Sequence, residues 1–498
     1  MIIDFSKLSR FTESGEHGPG RDNISEDILP TSKVTKAAHP IAKRCLSYPP
    51  GLSYIRPSRL PIFIMTVIRD SSNIAVADGT ATVKGWVQDI RNLGGISFLT
   101  LRDRFGTIQV TMPKKKIDPE LFENITKLSR ESVISVTGEV KESKQTALGL
   151  ELIPTAFELY SEAAVPLPMG VIDKVNVEMD TRLNHRFMDL RKPEIKAIFE
   201  LRSLAVALVN ETMQELGFTC VSTPKIVASG AEGGATLFHV DYFGKPAYLA
   251  QSPQLYKQIL MSTGLDKIYE IGPAFRAEHS NTNRHVTEFT SFDGEMCWID
   301  KEEDVMEMIG KIVDNVLRGL KERGKKQLEI LGKDIKVPAL PYPVLTYSEC
   351  LKMVQDAGLK LKEGDDLGTE GEKIVGDIME EKGFDLYFIA EYPEEAKPFY
   401  IMEKDGTPYS FSFDLDYKGQ EISSGGQREH RYNELVARME KKGLNPEDFE
   451  FYLDAFKYGM PPHGGWGIGL DRFIVKMLDL PNVREAILFP RDMSRLSP

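Results

Sequence analysis

Cysteine is scarce in this chain of 498 residues, which contains four of them. They stand at Cys45, Cys220, Cys297 and Cys350, and no two of them form a C-x-x-C pair. This spacing favours neither a zinc site nor a framework of disulfides. We therefore expect free thiols in a reducing compartment.

Long apolar runs are missing as well. The longest apolar stretch near the start, Pro61 to Ile68, is too short to cross a membrane. Nothing before it has the ordered regions of a secretory signal. The sequence therefore predicts a cytoplasmic protein without a membrane partner.

Positive charge is not in excess either, because the formal net charge is −12 at pH 7. That balance argues against a protein that coats nucleic acid non-specifically, although a local basic patch can still bind RNA. Hydrophobic residues make up 41% of the chain and charged residues 27%, which is typical of a globular protein. The length exceeds that of one ordinary core, so we expect two or three domains.

The first third of the chain contains two different patterns. Residues 1–64 are rich in Ser, Pro, Gly and charge without a period, which predicts a disordered leader or a true start at Met65. Residues 65–160 contain short alternating strands around one helical segment, Pro119 to Leu128. This pattern is typical of a five-stranded β-barrel of the OB-fold type.

The rest of the chain predicts an α+β domain. Prolines such as Pro166 mark a hinge at 161–185, and residues 186–498 then mix helical periods with alternating strands. Gly217 is suited to end one of the helices. We expect a multidomain protein in which this second domain has an antiparallel sheet flanked by helices.

Two common nucleotide-binding motifs are absent. The chain has no G-x-x-x-x-G-K-[ST] and no strand-borne G-x-G-x-x-G, which argues against P-loop and Rossmann sites. Three other clusters of polar residues remain as candidates for chemistry.

The first cluster runs from Phe275 to Phe289. Arg276 stands between apolar residues, and such an arginine is suited to grip a phosphate with two parallel hydrogen bonds. Phe289 could stack on a base. A surface hairpin with ion pairs is the alternative, and the spacing does not decide between them.

The second cluster surrounds Asp414. A tight turn at Lys418-Gly419 would lead into a strand with Glu421 and Ser424, and a two-residue turn would put Asp414, Asp416 and Glu421 on one face. Two carboxylates and a hydroxyl form an oxygen-rich site for Mg²⁺ that bridges phosphates. Solvated acidic residues on an edge hairpin are the alternative.

The third cluster is the glycine-rich segment Gly464 to Arg472. Glycines at 465, 467 and 469 would leave one strand face bare, so that a flat ring could lie on it. Arg472 begins the next helix and could reach a terminal phosphate. A glycine-rich strand packed tightly on a helix is the alternative.

Taken in order, these clusters resemble the three signature motifs of the class II aminoacyl-tRNA synthetases. The helix before Pro224 resembles the first motif, Phe275 to Phe289 the second, and Gly467 to Arg472 the third. Asp471 departs from the Glu that the third motif often has, and it preserves the charge.

Two further segments, Tyr248 to Lys257 and Glu421 to Arg428, resemble those of aspartyl-tRNA synthetases of the archaeal and eukaryotic kind. The resemblance covers the chain from about residue 80 to its end. It implies an OB-fold anticodon-binding domain followed by a class II catalytic domain.

The resemblance also implies one site for ATP and a metal ion. Arg276 and Arg472 would act in catalysis on the α- and γ-phosphates, and Phe289 would stack on adenine. The other residues implied in ATP binding are Glu278, Arg284, His285 and Glu421. The Mg²⁺ ligands would be Asp414, Glu421 and Ser424.

An aspartate pocket and two contacts with tRNA follow from the same resemblance. Substrate binding is implied for Glu232, Gln254, Lys257, Asp293, Ser424 and Arg428, and of these Glu232, Gln254 and Asp293 would hold the α-ammonium group. Glu232 would lie on a mobile loop that closes over the substrate. The barrel residues implied in tRNA recognition are Gln88, Arg91, Phe98, Gln109 and Lys144, and those near the acceptor end are Ser280, Asn281 and Thr282. On its own, Phe98 would more often be a core residue of the barrel.

The implied reaction is the attack of an α-carboxylate on the α-phosphorus of ATP. The nucleophile is already deprotonated at neutral pH, so no general base is required. Both reactants are anions, and the step needs charge neutralisation and in-line placement, which guanidiniums and Mg²⁺ supply.

Lys257 distinguishes aspartate from asparagine as the substrate. A second cation beside Arg428 suits a carboxylate, whereas opposite a neutral amide a buried Lys and Arg would lack a counter-charge. Asparaginyl-tRNA synthetase is the alternative within the family. A synthetase-like RNA-binding protein without catalysis is the alternative from another class, and the presence of all the motif arginines and metal carboxylates argues against it.

The expected partners are tRNA(Asp), L-aspartate, ATP and a second copy of the chain. Charging of tRNA(Asn) stays open, and Gln88 and Lys144 look like the stricter form. The first motif normally forms the dimer interface, so the resemblance implies a twofold homodimer.

Overall fold

The structure is a computed structural model that describes residues 67–173, 175–228, 237–278 and 282–498. The expectations for residues 1–64 lie outside these ranges. Within them, no helix is both long and apolar enough to cross a membrane.

The first part of the described chain forms a closed barrel. Its elements are β1 (Val67–Arg69), β2 (Thr80–Asn92), β3 (Ile96–Arg102), β4 (Thr107–Pro113), α1 (Pro119–Thr126), β5 (Val133–Glu142) and β6 (Leu150–Ser161). The strand order is β1-β2-β3-β4-β6-β5, and β5 also pairs with β2, which closes the ring. Strands β2 to β6 therefore form the predicted five-stranded OB-type barrel, and β1 adds a parallel strand alongside β2.

Side-chain alternation decides which barrel residues are buried. Along β3, Leu99 and Leu101 point inward and are almost fully buried, whereas Phe98 lies on the outer face and is partly exposed. Helix α1 packs Phe122 and Ile125 against the barrel. Phe98 is therefore not a core residue of the barrel, which was the alternative for this side chain.

Three helices follow the barrel. They are α2 (Met179–Asn184), α3 (Arg186–Asp189) and α4 (Pro193–Glu215). Gly217 follows α4 with a φ of 80°, which suits a glycine at the end of a helix. Helix α2 falls inside the range assigned to the hinge, and the limits of the hinge stay a prediction.

The second domain contains the remaining elements. Up to its middle they are β7 (Thr219–Cys220), β8 (Ile226–Val227), β9 (His239–Tyr242), β10 (Lys245–Leu249), α5 (Gln254–Met261), β11 (Lys267–Phe275), β12 (Glu288–Cys297), α6 (Glu302–Arg323), α7 (Lys325–Leu331) and β13 (Val344–Thr346). After it come α8 (Tyr347–Asp356), α9 (Gly368–Glu381), β14 (Leu386–Ala390), β15 (Ser412–Tyr417), β16 (Glu421–Gln427), α10 (Tyr432–Lys441), α11 (Glu450–Lys457), β17 (His463–Gly469) and α12 (Leu470–Met477).

An eight-stranded sheet forms the centre of this domain, in the order β13-β14-β15-β16-β17-β12-β11-β7. Only the outermost pairs, β13–β14 and β7–β11, are parallel. Helices α4, α6 and α12 pack on one face, and α5, α10 and α11 pack on the other. A separate three-stranded sheet has the strand order β8-β10-β9. The predicted antiparallel sheet flanked by helices is confirmed.

The β15–β16 hairpin contains the predicted two-residue turn. Lys418 and Gly419 have φ values of 49° and 66°, and Asp416 lies opposite Glu421. A bulge in the pairing then puts Ser424, rather than Ser423, opposite Asp414. Strict alternation would have turned Ser424 to the other face, so the bulge brings it to the side of the two carboxylates.

Candidate active site

A cavity of about 240 Å³ opens beside β12, β16 and β17 and collects most of the predicted site residues. Those that line it are Gln254, Lys257, Arg276, Glu278, Arg284, His285, Phe289, Asp293, Glu421, Ser424, Arg428 and Arg472. Asp414 lies next to Ser424 on the adjacent strand. Glu232, Ser280 and Asn281 lie outside the described residues.

Arg276 follows β11, where its backbone N–H donates to the carbonyl of Thr287 at 2.9 Å. Its guanidinium lies 5.3 Å from the centroid of the Phe289 ring, a cation–π distance. Its Nε is buried and has no hydrogen-bond partner among the described residues. A buried donor without a partner retains its desolvation cost, so this guanidinium is suited to bind an anion.

Asp414, Glu421 and Ser424 offer only oxygen ligands, the kind that Mg²⁺ prefers. Asp414 is 7% exposed and accepts hydrogen bonds from the Lys397 ammonium at 3.0 and 3.3 Å. Burial, and then Asp414, raise the pKa of Glu421, although Arg472 at 4.0 Å acts to lower it.

The donor set fits a magnesium ion that is shared with a substrate. In the described ranges, no group of three or more His, Cys, Asp or Glu side chains is arranged to hold a metal ion. Mg²⁺ commonly binds through one or two carboxylates and takes its other ligands from phosphate and water. Asp414, Glu421 and Ser424 match that mode of binding.

Two cations share one carboxylate at the inner end of the cavity. Arg428 donates to Glu295 at 2.8 and 3.3 Å, and the Lys257 ammonium lies 3.4 Å from Glu295 and 3.2 Å from Asp293. Burial acts to raise the pKa of Glu295, but Arg428 and Lys257 hold it below its usual value. The premise that Lys257 and Arg428 would lack a counter-charge is therefore wrong, because Glu295 pairs with both cations and Asp293 also pairs with Lys257.

Glu295 is not among the residues predicted from the sequence, although a signal for it exists. Glu295 stands two residues after Asp293 on β12, so both side chains face the same way. Gly465 makes the room for it, since a Cβ there would overlap the Glu295 carboxylate. The predicted bare face for a flat ring is therefore wrong at Gly465, whereas Gly467 and Gly469 do border the cavity.

The residues expected at the α-ammonium group lie on the same side of the cavity. Gln254 is buried and donates to Gln258 at 3.0 Å. Asp293 accepts from the Ser291 hydroxyl at 2.5 Å as well as from Lys257. These contacts hold one amide and one carboxylate in fixed positions before a substrate arrives.

At the other end of the cavity, Arg284 and His285 each lie beside a carboxylate. The Arg284 guanidinium lies 3.0 Å from Glu372 on α9, and burial raises the pKa of Glu372 to about 7. The Nδ1 atom of His285 forms a hydrogen bond of 2.6 Å with the Thr282 hydroxyl. Its Nε2 atom lies 3.6 Å from the Glu278 carboxylate. Burial lowers the pKa of His285, and the neighbouring Glu278 carboxylate opposes that shift.

Asp471 connects the three signature motifs. Its carboxylate accepts from Arg202 of α4 at 2.9 Å and from the backbone N–H of Thr290 on β12 at 2.8 Å. The side chain is 2% exposed. Burial raises the pKa of Asp471, and the bonds from Arg202 and Thr290 oppose that shift.

The outer face of the barrel carries the predicted anticodon residues. Phe98 lies opposite Arg91 on β2, and Gln109 on β4 lies opposite Thr100, which shares a face with Phe98. Gln88 is the extra residue of a bulge between Val87 and Asp89. Lys144 is exposed beyond β5. An aromatic ring with polar neighbours on an open barrel face is suited to stack on an unpaired base.

Comparison with known proteins agrees with this geometry. Residues 178–493 match the family described as tRNA synthetases class II (D, K and N), and residues 81–160 match the OB-fold nucleic acid binding domain. The aspartate–tRNA(Asp) ligase of Thermococcus kodakarensis is 51% identical over 418 residues, 84% of this chain and 95% of that protein. The aspartate–tRNA(Asp/Asn) ligase of Methanosarcina barkeri is 50% identical over 420 residues, 84% of this chain and 94% of that protein.

Solved structures share the fold. An asparaginyl-tRNA synthetase from Pyrococcus horikoshii, complexed with asparaginyl-adenylate, matches with a TM-score of 0.77 at 32% identity, over 84% of this chain and 96% of that one. The aspartyl-tRNA synthetase from Entamoeba histolytica matches with a TM-score of 0.75 at 32% identity, over 84% and 90%. From its motifs, its two domains and these matches, the chain belongs to the class II tRNA synthetases (D, K and N) and is a ligase of that family.

Proposed function

We propose that this enzyme is an aspartate–tRNA ligase. It activates L-aspartate with ATP to aspartyl-adenylate and pyrophosphate, and then transfers aspartate to the 3′ end of tRNA(Asp). Relatives named aspartate–tRNA ligase are 47 to 51% identical over most of the chain, which supports this substrate. The cytoplasm, where tRNA is charged for protein synthesis, is the location that goes with this proposal.

The charge at the inner end of the cavity favours aspartate over asparagine as the substrate. Lys257 and Arg428 contribute two positive charges there, and Glu295 and Asp293 contribute two negative charges. Asp293 would hold the substrate's α-ammonium group, which adds a third positive charge. One positive charge is then left for the substrate's side-chain carboxylate. A neutral amide would leave that charge buried without compensation, which costs several kcal/mol.

The side chains around the cavity suit the adenylation step. An oxygen of the α-carboxylate forms a bond to the α-phosphorus, and the bond from that phosphorus to the α–β bridging oxygen breaks with its electron pair on pyrophosphate. Arg276, whose Nε has no partner within the described ranges, would neutralise the charge that develops on the α-phosphate. Arg472 would bind the γ-phosphate, and Phe289 would stack on adenine.

Asp414, Glu421 and Ser424 would hold the magnesium ion that accompanies ATP. When bound, Mg²⁺ neutralises phosphate oxygens and helps to orient the triphosphate. No side chain needs to remove a proton from the α-carboxylate, because it is ionised at neutral pH.

Amino-acid-dependent exchange of pyrophosphate into ATP tests the substrate. We expect exchange with aspartate and at most a trace with asparagine. Lys257→Met should raise the KM for aspartate about tenfold or more, as for the loss of a charge-assisted partner, while Lys352→Met, an exposed lysine on α8, should not. Better exchange with asparagine than with aspartate would contradict the proposal.

For tRNA, we propose that tRNA(Asp) is the acceptor and that tRNA(Asn) is charged poorly. The support is the pair Gln88 and Lys144 on the barrel, which resembles the stricter members of the family. Relatives of similar identity bear both kinds of name, tRNA(Asp) and tRNA(Asp/Asn). Equal charging efficiencies for purified tRNA(Asp) and tRNA(Asn) would overturn the proposal that tRNA(Asn) is charged poorly.

A twofold homodimer completes the proposal. Strand β7 is an edge strand of the eight-stranded sheet, and both of its residues, Thr219 and Cys220, are exposed. An exposed edge next to α4 is suited to pair with a second copy of the same edge. Sedimentation equilibrium should give twice the mass of the chain, and a monomer at micromolar concentration would contradict this expectation.

A further inference from the structure

A second cavity adjoins the one that holds the predicted ATP residues. Its volume is about 380 Å³, which is within the range of small-ligand sites, roughly 300 to 1,000 Å³. Arg284 and Arg472 line both cavities. The second cavity therefore begins at Arg472, the residue proposed to bind the γ-phosphate. Lys476 lines only the second cavity.

Helix α12 brings two cations to this cavity. Arg472 and Lys476 stand four residues apart and therefore lie on one face of the helix, about one turn from each other. Val475 of α12 and Asp479, which follows the end of the helix at Met477, line the cavity as well. An anion at Arg472 therefore meets a second positive charge one turn further along the same face.

Lys476 lacks the counter-charge that the neighbouring cations have. Its ammonium donates to the carbonyl of Lys418 at 3.0 Å, and no carboxylate of the described residues lies within 4 Å of it. Arg284 is paired with Glu372, and Lys418 is paired with Asp479 at 2.6 Å. Burial, and then Arg284 and Lys418, lower the pKa of Lys476, and the more distant carboxylates of Asp479 and Glu372 oppose that shift.

We propose that this second cavity binds inorganic pyrophosphate as it leaves the adenylation site, with Lys476 as a product-binding group. The inference rests on the proposed function, because that reaction releases pyrophosphate beside Arg472. Arg472 holds the terminal phosphate before the reaction, and the cavity lets the free pyrophosphate move toward Lys476. Two phosphates with several negative charges supply the counter-charge that Lys476 lacks.

A purely structural role for Lys476 makes a different prediction. Its bond to the Lys418 carbonyl ties α12 to the turn that precedes Glu421 on β16. If that tie were its only role, its loss would disturb Glu421 and weaken the binding of ATP with magnesium. Lys476→Gln separates the two roles, since the amide can still donate to the carbonyl but carries no charge.

Calorimetric titration of the full-length enzyme with pyrophosphate in the presence of MgCl₂, without ATP or aspartate, tests the cavity directly. We expect Lys476→Gln to raise the dissociation constant of pyrophosphate about tenfold, as for the loss of one charge-assisted hydrogen bond. Lys476→Arg, which keeps the charge, should stay within threefold of wild type. Lys333→Gln, which removes a lysine paired with Asp479 but not lining the cavity, should have no effect.

Exchange kinetics provide the second measurement. For Lys476→Gln, the KM for pyrophosphate should rise about tenfold while the KM for ATP stays within twofold. Unchanged pyrophosphate binding in Lys476→Gln would overturn the inference, and so would an equal rise in the KM for ATP. A wild-type enzyme without aspartate-dependent exchange would instead overturn the proposed function, and the titration would still report on the cavity by itself.

Discussion

Charge pairing divides the arginines of the active site into two kinds. Arg428 is paired with Glu295, and Arg284 is paired with Glu372. Arg276 keeps a buried Nε that has no hydrogen-bond partner in the part of the chain that the structure describes. A paired guanidinium is held in position before the substrate arrives, whereas an unpaired one gains its interaction only with the ligand. Arg276 is therefore the arginine whose charge is most available to the reaction.

Arg276→Ala should lower the rate of aspartate activation by about 10²-fold or more, the range for the loss of a key electrostatic donor. The measurement is aspartate-dependent exchange of pyrophosphate into ATP at saturating substrates. Arg318→Ala, which removes an exposed arginine paired with Asp314 on α6, is the control and should be close to wild type. Activation by Arg276→Ala within threefold of wild type would refute its assignment.

At the scale of elements, one buried carboxylate holds the three motif segments together. Asp471 at the start of α12 binds Arg202 of α4 and the backbone of Thr290 on β12. The same strand, β12, carries Asp293 and Glu295 toward the cavity. The position of Asp293 and Glu295 therefore depends on an ion pair to which neither of them belongs.

Arg202→Met should destabilise the catalytic domain by roughly 3 kcal/mol, because it leaves the buried Asp471 without its cation. Thermal unfolding should show a melting temperature lower by several degrees. Adding Asp471→Asn should recover part of the loss, since the amide can still accept from Thr290 and has no charge to bury. Equal melting temperatures for Arg202→Met and for the surface control Arg318→Met would contradict this account.

At the scale of the whole molecule, the barrel and the catalytic domain meet at a buried glutamate. Glu131, in the loop before β5, accepts from Arg102 of the barrel at 2.6 Å and from Arg191, between α3 and α4, at 2.9 Å. The Arg191 guanidinium also lies 5.6 Å from the ring of Trp86 on β2. A tRNA that contacts both domains gains affinity only if their relative geometry is maintained.

Arg191→Met should therefore raise the KM for tRNA in aminoacylation severalfold and leave aspartate activation unchanged. The reason is that Glu131 and Trp86 lose their partner on the catalytic side, while the active site is not touched. Steady-state charging of tRNA(Asp) and pyrophosphate exchange, measured on the same preparation, give the comparison. A parallel loss of exchange would mean that Arg191 supports the catalytic domain rather than the link between domains.

Local pattern was enough to predict much of the fold. Alternation along β3 and β15, the helical spacing that becomes α4 and α6, and the two-residue turn at Lys418-Gly419 all depend on neighbouring residues. Because backbone preferences and side-chain periodicity act over a few residues, they can be derived from the sequence. The chemistry of the motif arginines and carboxylates follows from residue type, and their order along the chain indicated the family.

Only the tertiary structure decided which charges neutralise one another. Glu295 meets Arg428 from more than a hundred residues away, and Glu372 meets Arg284. Lys476 has no carboxylate within 4 Å among the residues that the structure describes. The bulge that turns Ser424 toward Asp414 is likewise a property of the pairing between two strands. Such contacts depend on the packing of distant segments in a low-dielectric interior, where the partner rather than the residue type determines the charge that remains for a ligand.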